Sequence, residues 1–149
     1  MATRPHRHIT PEEYLADERV AEYKSEYFAG EVFALAGASR GHNLIVTNLI
    51  VAIGGTLKGG GGDIYGSDLR VKVTPLGKYT YPDVTIARGR QEFEDDREDT
   101  LLNPTVIIEV LSDSTEKYDR GVKFEHYRRI PELTENILEF LHGQWFQRW

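Results

Sequence analysis

From Pro104 to Ser112 the chain reads Pro-Thr-Val-Ile-Ile-Glu-Val-Leu-Ser, with apolar side chains at both odd and even positions. At strand period Val106, Ile108 and Val110 fall on one face, and Ile107, Glu109 and Leu111 on the other. A strand apolar on both faces is one covered on both faces, as in the middle of an α/β sheet. Pro104 opens it. One acid, Glu109, interrupts the run.

The remaining pattern predicts elements on either side. Thr10-Pro11-Glu12-Glu13 is a helix start, with Thr10 capping, Pro11 in the first turn and Glu13 completing a capping box; this helix is expected to end near Val20 or Tyr23. Ser25–Ala29 and Glu31–Ala36 read as a hairpin turning at Gly30. Ser39 caps a second helix reaching about Leu57, with Leu44, Ile45, Leu49, Ile50 and Ile53 as an apolar face to bury against a sheet. Gly59–Gly62 breaks it and, lacking a Lys-Ser/Thr ending, is a turn rather than a phosphate cradle. Asp63–Val73 and Tyr79–Ala87 read as strands, separated by a turn at Thr74–Gly77. Arg88–Leu102, dense in acids, reads as a solvated loop or short helix. Ser112–Thr115 caps a third helix to about Arg129. Wound at 100° per residue, it turns Lys117, Gly121, Glu125, Arg128 and Arg129 to one side and Lys123, Tyr127 and Ile130 to the other, with Phe124 flanking. The tail is ambiguous: Leu133–His142 could be a helix, but Ile137–Leu141 and Trp145–Trp149 as a hairpin about His142-Gly143 is the preferred reading.

Length and composition change this picture little: 149 residues suit a single domain, 1–149, with residues 1–9 as a loose basic arm. There is no cysteine, and no run matches a membrane span or a signal peptide, so no membrane partner and a cytoplasmic location are expected. The net charge of −6 argues against a module that grips DNA by charge alone. Any nucleic-acid contact has to be local, or helped by a divalent cation.

Candidate chemistry starts from Glu109. An unpaired buried carboxylate costs several kcal/mol, so it needs a cation, a metal ion or a proton. Asp83, just after Pro82, is expected near a strand end, where loops build sites. Lys123 lies on the helix face turned to the sheet; its ammonium either snorkels outward or points at Glu109. Two carboxylates on neighbouring strands can hold one Mg²⁺ or Mn²⁺, and an ammonium beside them can place water and stabilise phosphate charge. Ser112 and Tyr127 are candidates for holding those groups in place. Glu31 reads first as a solvated strand carboxylate and His42 as a structural, hydrogen-bonded histidine, each with a site role as the alternative.

The ordered set of Thr10-Pro-Glu-Glu-Tyr14, Gly30-Glu31, Ala36–Ser39, His42-Asn43, Tyr81-Pro-Asp-Val84, Asn103-Pro104, Ile108-Glu-Val-Leu-Ser112, Tyr118-Asp-Arg-Gly121 and Lys123–Arg128 resembles the Uma family of restriction endonucleases, within the PD-(D/E)XK nuclease superfamily. The likeness spans roughly residues 10–131. It implies an α/β fold, a restriction-endonuclease-like mixed β-sheet flanked by helices with the carboxylates at one edge. It also implies a Mg²⁺-dependent (or Mn²⁺-dependent) endonuclease acting on DNA. Asp83 and Glu109 would be the metal ligands, and Glu31 and His42 would lie near the site. The superfamily's lysine two residues after the glutamate is Leu111 here, and Lys123 would take its role. Paired cuts in duplex DNA would favour a homodimer.

Two other readings stay open at this stage. The chain could be a catalytically inactive nuclease fold used for binding or assembly, as Leu111 and the acidic charge suggest. Alternatively, Glu109 and Lys123 could be a purely structural ion pair.

Overall fold

The computed structural model describes residues 7–111, 119–140 and 146–148. Helix α1 (Pro11–Glu18) begins with the capping box read from the sequence: Glu13 N–H donates to Thr10 Oγ1 and Thr10 N–H to Glu13 Oε2. It stops at Glu18, short of Val20, and Val20 and Tyr23 are exposed. Arg7 to Ile9, expected to be loose, are tied down. Arg7 pairs with Glu13 and the Ile9 amide donates to the Gly30 carbonyl.

Strands β1 (Ser25–Phe28) and β2 (Glu31–Ala34) form the expected hairpin. Its two turn residues, Ala29 and Gly30, have φ of 51° and 87°, the left-handed pair that a two-residue turn between twisted strands requires. A β-carbon on Gly30 would stand 2.0 Å from the His8 ring. Helix α2 (Arg40–Leu57) is capped by Ser39, whose Oγ accepts from the His42 amide.

Both long strands expected between Asp63 and Ala87 are broken. Asp63–Val73 divides into β3 (Asp63–Tyr65) and β4 (Arg70–Val73), and Tyr79–Ala87 into β5 (Lys78–Thr80) and β6 (Val84–Ala87). Each break hands the chain from one sheet to another. One sheet runs β2-β1-β5-β4-β7, with β7 at Thr100–Leu101. The other runs β10-β9-β8-β6-β3, with β8 at Val106–Leu111, β9 at Glu135–Phe140 and β10 at Phe146–Arg148. Parallel pairs β4–β7 and β8–β9 sit among antiparallel ones, so both sheets are mixed. The tail is a hairpin, as its sequence indicates.

The central strand β8 is buried along all six residues, and its two faces pack differently. Val106 and Ile108 join Val84, Ile86 and Leu57, with Val46, Leu49, Ile50 and Ile53 of α2 over them. That stripe follows helical spacing. Leu44, expected within it, is turned outward, because it lies about 200° around the helix from Val46. On the opposite face Ile107 meets Val71, Val73 and Leu101 of the first sheet, together with Tyr127 and Ile130. Tyr127 is the last residue of helix α3 (Phe124–Tyr127) and Ile130 follows it; the helix continues a π-helical turn, Asp119–Lys123. Helix α1 covers the first sheet through Tyr14, which stacks on Tyr27 and packs at a tilt against Tyr79.

The acidic stretch 88–102 is less solvated than its composition implies. Asp95 and Asp99 clasp Arg19 at 2.7 and 2.8 Å, and Glu94 Oε1 accepts from both Lys72 and Tyr79. No helix among the described residues is long and apolar enough to cross a membrane.

Candidate active site

Asp83 sits in the corner between β5 and β6, where Pro82 cannot supply an amide to a ladder. Val84 lies opposite Ile108 in the antiparallel β6–β8 pair. One step further along that register, Asp83 faces Glu109, and residues so opposed share a side of the sheet. The acids are therefore neighbours at the junction of two inner strands, not at a sheet edge as the resemblance implied. Pro82-Asp83 ends the β5–β6 run, so the corner falls beside the middle strand.

The Asp83 carboxylate is gripped from two directions, the Val110 amide donating to Oδ2 at 2.8 Å while His42 Nε2 lies 3.1 Å from the same oxygen. Burial pushes the Asp83 carboxyl up. Hydrogen bonds from His42 and the Val110 amide, the charge of His42 and a hydrogen bond with Glu109 outweigh that and hold it below the usual carboxylate range. His42 reaches it from the first turn of α2, where the Ser39 cap fixes the backbone.

Glu109 is 3% exposed. Lys123 Nζ stands 2.9 Å from its Oε1, and the Tyr127 hydroxyl donates to the same oxygen at 2.5 Å. Lys123 closes the π-helical turn and Tyr127 ends α3, so the two donors are four residues apart along one continuous helical segment and share a face. Burial, then the charge of Glu109, push the Tyr127 phenol well above its ordinary pKa, so it stays a donor.

A cavity of about 500 Å³ opens over this cluster, lined by Asp83, Glu109, Lys123, His42, Glu26 and Lys24 among others. A second cavity, about 640 Å³, lies where the Gly59–Gly62 loop meets Asp63 and Tyr65, and none of these acids lines it.

The structure thus brings Asp83, Glu109, Lys123, His42 and Tyr127 together. It leaves Glu31 out: that side chain is exposed on edge strand β2. Ser112 lies outside the described residues. Sequence reasoning missed Glu26, 4% exposed on β1 and lining the same cavity. The rule that singled out Glu109 would have found it, since Glu26 is the one acid in the aromatic strand Ser-Glu-Tyr-Phe.

A divalent ion is the group the resemblance implies, and the donors suit it. Two hard carboxylates face each other across adjacent strands beside a cavity roomy enough for water and a phosphate group, a set matching Mg²⁺, which takes one or two protein acids and fills its shell with water and phosphate oxygens. Among the described residues no three His, Asp or Glu side chains converge as a protein-only metal cage; a site of the Mg²⁺ kind needs none.

Known proteins agree with this architecture. The chain is 38% identical over 136 residues to a Synechocystis protein described as "Uncharacterized protein slr1290", covering 90% of this chain and 70% of that one. To a second, "Uncharacterized protein sll1609" from the same organism, it is 37% identical over 130 residues, covering 87% and 73%. Its fold matches the crystal structure of "a putative nuclease belonging to DUF820" from Anabaena variabilis with a TM-score of 0.75. The match covers 95% of this chain and 84% of that one at 18% identity. A family model described as "Putative restriction endonuclease" matches residues 11–139, and the chain belongs to that family, Uma2.

Proposed function

We propose that this protein is a divalent-metal-dependent endonuclease that hydrolyses phosphodiester bonds in DNA. The observation that carries the reading is the meeting of Asp83 and Glu109 at one cavity with the Lys123 ammonium 2.9 Å from Glu109. The description of the Uma2 family, "Putative restriction endonuclease", supports the same reaction class, and the fold shared with the Anabaena protein is compatible with it.

Each residue has a task in it. Asp83 and Glu109 would hold the ion, which when bound supplies Lewis-acid polarisation of the phosphate and of a water molecule. His42 and the Val110 amide fix the Asp83 carboxylate, so its orientation does not have to be found anew with each substrate. Tyr127 does the same for Glu109. The Lys123 ammonium orients the attacking water and offsets the negative charge that builds on the phosphate. Deep burial of Glu109 and Lys123 strengthens these interactions by keeping bulk water out. The divalent charge also answers the chain's own net charge of −6, because it gives the DNA backbone a local attraction at the acids.

Plasmid cleavage with and without Mg²⁺ or Mn²⁺ tests the reading. Asp83→Ala and Glu109→Ala are expected to abolish metal-dependent cleavage while remaining folded. Full activity in either would remove that residue from the mechanism. The buried Lys123–Glu109 pair and Leu111 at the usual lysine position favour a second reading, a nuclease fold that binds without cutting. Calorimetric titration separates the two: binding of Mn²⁺ lost in Glu109→Ala supports the enzyme, and no binding to the wild type supports the module.

A further inference from the structure

Lys123 lies between two acids. Its Nζ is 2.9 Å from Glu109 Oε1 and 3.5 Å from Glu26 Oε1. Glu26 is oriented by Thr80, whose hydroxyl donates to the same Oε1 at 2.5 Å, and Thr80 Oγ1 in turn is 3.5 Å from the Tyr127 hydroxyl that donates to Glu109. Thr80, Glu26, Lys123, Glu109 and Tyr127 thus close a ring of side chains, every one of them buried. Its members come from β1, β5, β8 and the turn leading into α3, so it ties both sheets to the helix.

If Glu109 served only as the partner of Lys123, one acid would suffice. Glu109 has a second obligation in the reading above, since it also holds the ion. A cation drawn onto that carboxylate competes with the ammonium for it and repels the ammonium directly. The four-carbon stem lets a repelled ammonium swing away. Glu26, with Oε1 3.5 Å from Nζ, is a second acid that keeps it in place.

We propose that Glu26 is a positioning residue: it holds the Lys123 ammonium in the cavity while Glu109 is committed to the divalent ion, and Thr80 sets its orientation. This rests on the function proposed above. Glu26 touches neither the ion nor the phosphate in this assignment and acts through Lys123.

The test compares wild type with Glu26→Gln and Thr80→Val on three readouts: Mn²⁺ affinity by calorimetry, steady-state cleavage, and acetylation rate of Lys123 by mass spectrometry in Mn²⁺. Glu26→Gln is expected to lower kcat about 10- to 100-fold with KM and Mn²⁺ affinity little changed, as for loss of a group acting only in the transition state. Lys123 in the Mn²⁺-loaded variant is expected to be acetylated several-fold faster than in wild type. Thr80→Val should move kcat and acetylation the same way by less, and it carries the test should Glu26→Gln fail to fold. Unchanged kcat and Lys123 reactivity in the folded variant would overturn the proposal. So would a tenfold or greater loss of Mn²⁺ affinity, which would make Glu26 a ligand. A wild type that neither binds Mn²⁺ nor cleaves would instead overturn the endonuclease reading, and this proposal with it.

Discussion

Lys123 shows how one residue can be legible in sequence before its partners are. Winding the third helix put Lys123, Tyr127 and Ile130 on the sheet-facing side, and all three are buried, while Gly121, Glu125, Arg128 and Arg129 are exposed. Glu109 demanded a cation and has one. Lys123→Met takes the ammonium away from two buried acids, Glu109 and Glu26, and is expected to cost about 3 kcal/mol in urea denaturation. It should also cut cleavage at least ~100-fold in the fraction that stays folded. A folded Lys123→Met enzyme that cleaves like wild type would deny the ammonium its role. Tyr127→Phe removes one charge-assisted hydrogen bond and should cost about 2 kcal/mol on the same denaturation measurement. Glu31 went the other way: its place in a motif drew attention, but an exposed edge strand keeps it from the cavity. Glu26, one strand back, faces inward because side chains alternate and Tyr27 takes the opposite side against α1.

At the scale of elements, caps and turns were readable because their chemistry is local. The Thr10 capping box, the Ser39 cap and the Ala29-Gly30 turn each depend on a few adjacent residues. Gly30→Ala would hold a side chain at φ near 87° and push it against His8, so it should lower stability by about 1 kcal/mol or more in thermal denaturation. The broken strands were readable only in part. Gly66-Ser67-Asp68 and Pro82-Asp83 are residues that strands disfavour and could have marked the breaks, but which sheet each piece joins is decided only by pairing partners far along the chain. The clasp of Arg19 by Asp95 and Asp99 is likewise non-local. It holds Asp99 below the usual carboxylate range, chiefly through the hydrogen bond from Arg19. A lowered folded pKa means stability that is present above the ordinary value of 3.8 and lost as pH falls through the folded one. Asp99→Asn should therefore cost about 1 kcal/mol at pH 7, and the gap to wild type should close below pH 3.8. Denaturation curves at neutral and acid pH measure it, and a gap independent of pH would contradict the assignment.

For the whole molecule, two mixed sheets meet along Ile107 and the Tyr127–Ile130 turn, and the cavity lies where both sheets and two helices converge. The mixed sheet flanked by helices that the resemblance implied is there around β8, but the strand pattern does not say that β1, β2, β4 and β5 pair with one another in a second sheet while β3 joins β6. The convergence explains why the candidate site draws residues from β1, α2, β6, β8 and α3, so distant in sequence. Leu111, where the resemblance would have placed a lysine, is fully buried against Phe124, and the Lys123 ammonium reaches Glu109 from the turn before α3 instead.

The central claim is that Asp83 and Glu109 together hold a divalent ion. Anomalous diffraction from a crystal soaked in Mn²⁺ tests it most directly. The account predicts one strong anomalous peak between the two carboxylates, absent from an Asp83→Asn crystal soaked the same way. A cavity without a peak there in wild type, or a manganese bound elsewhere, would contradict it.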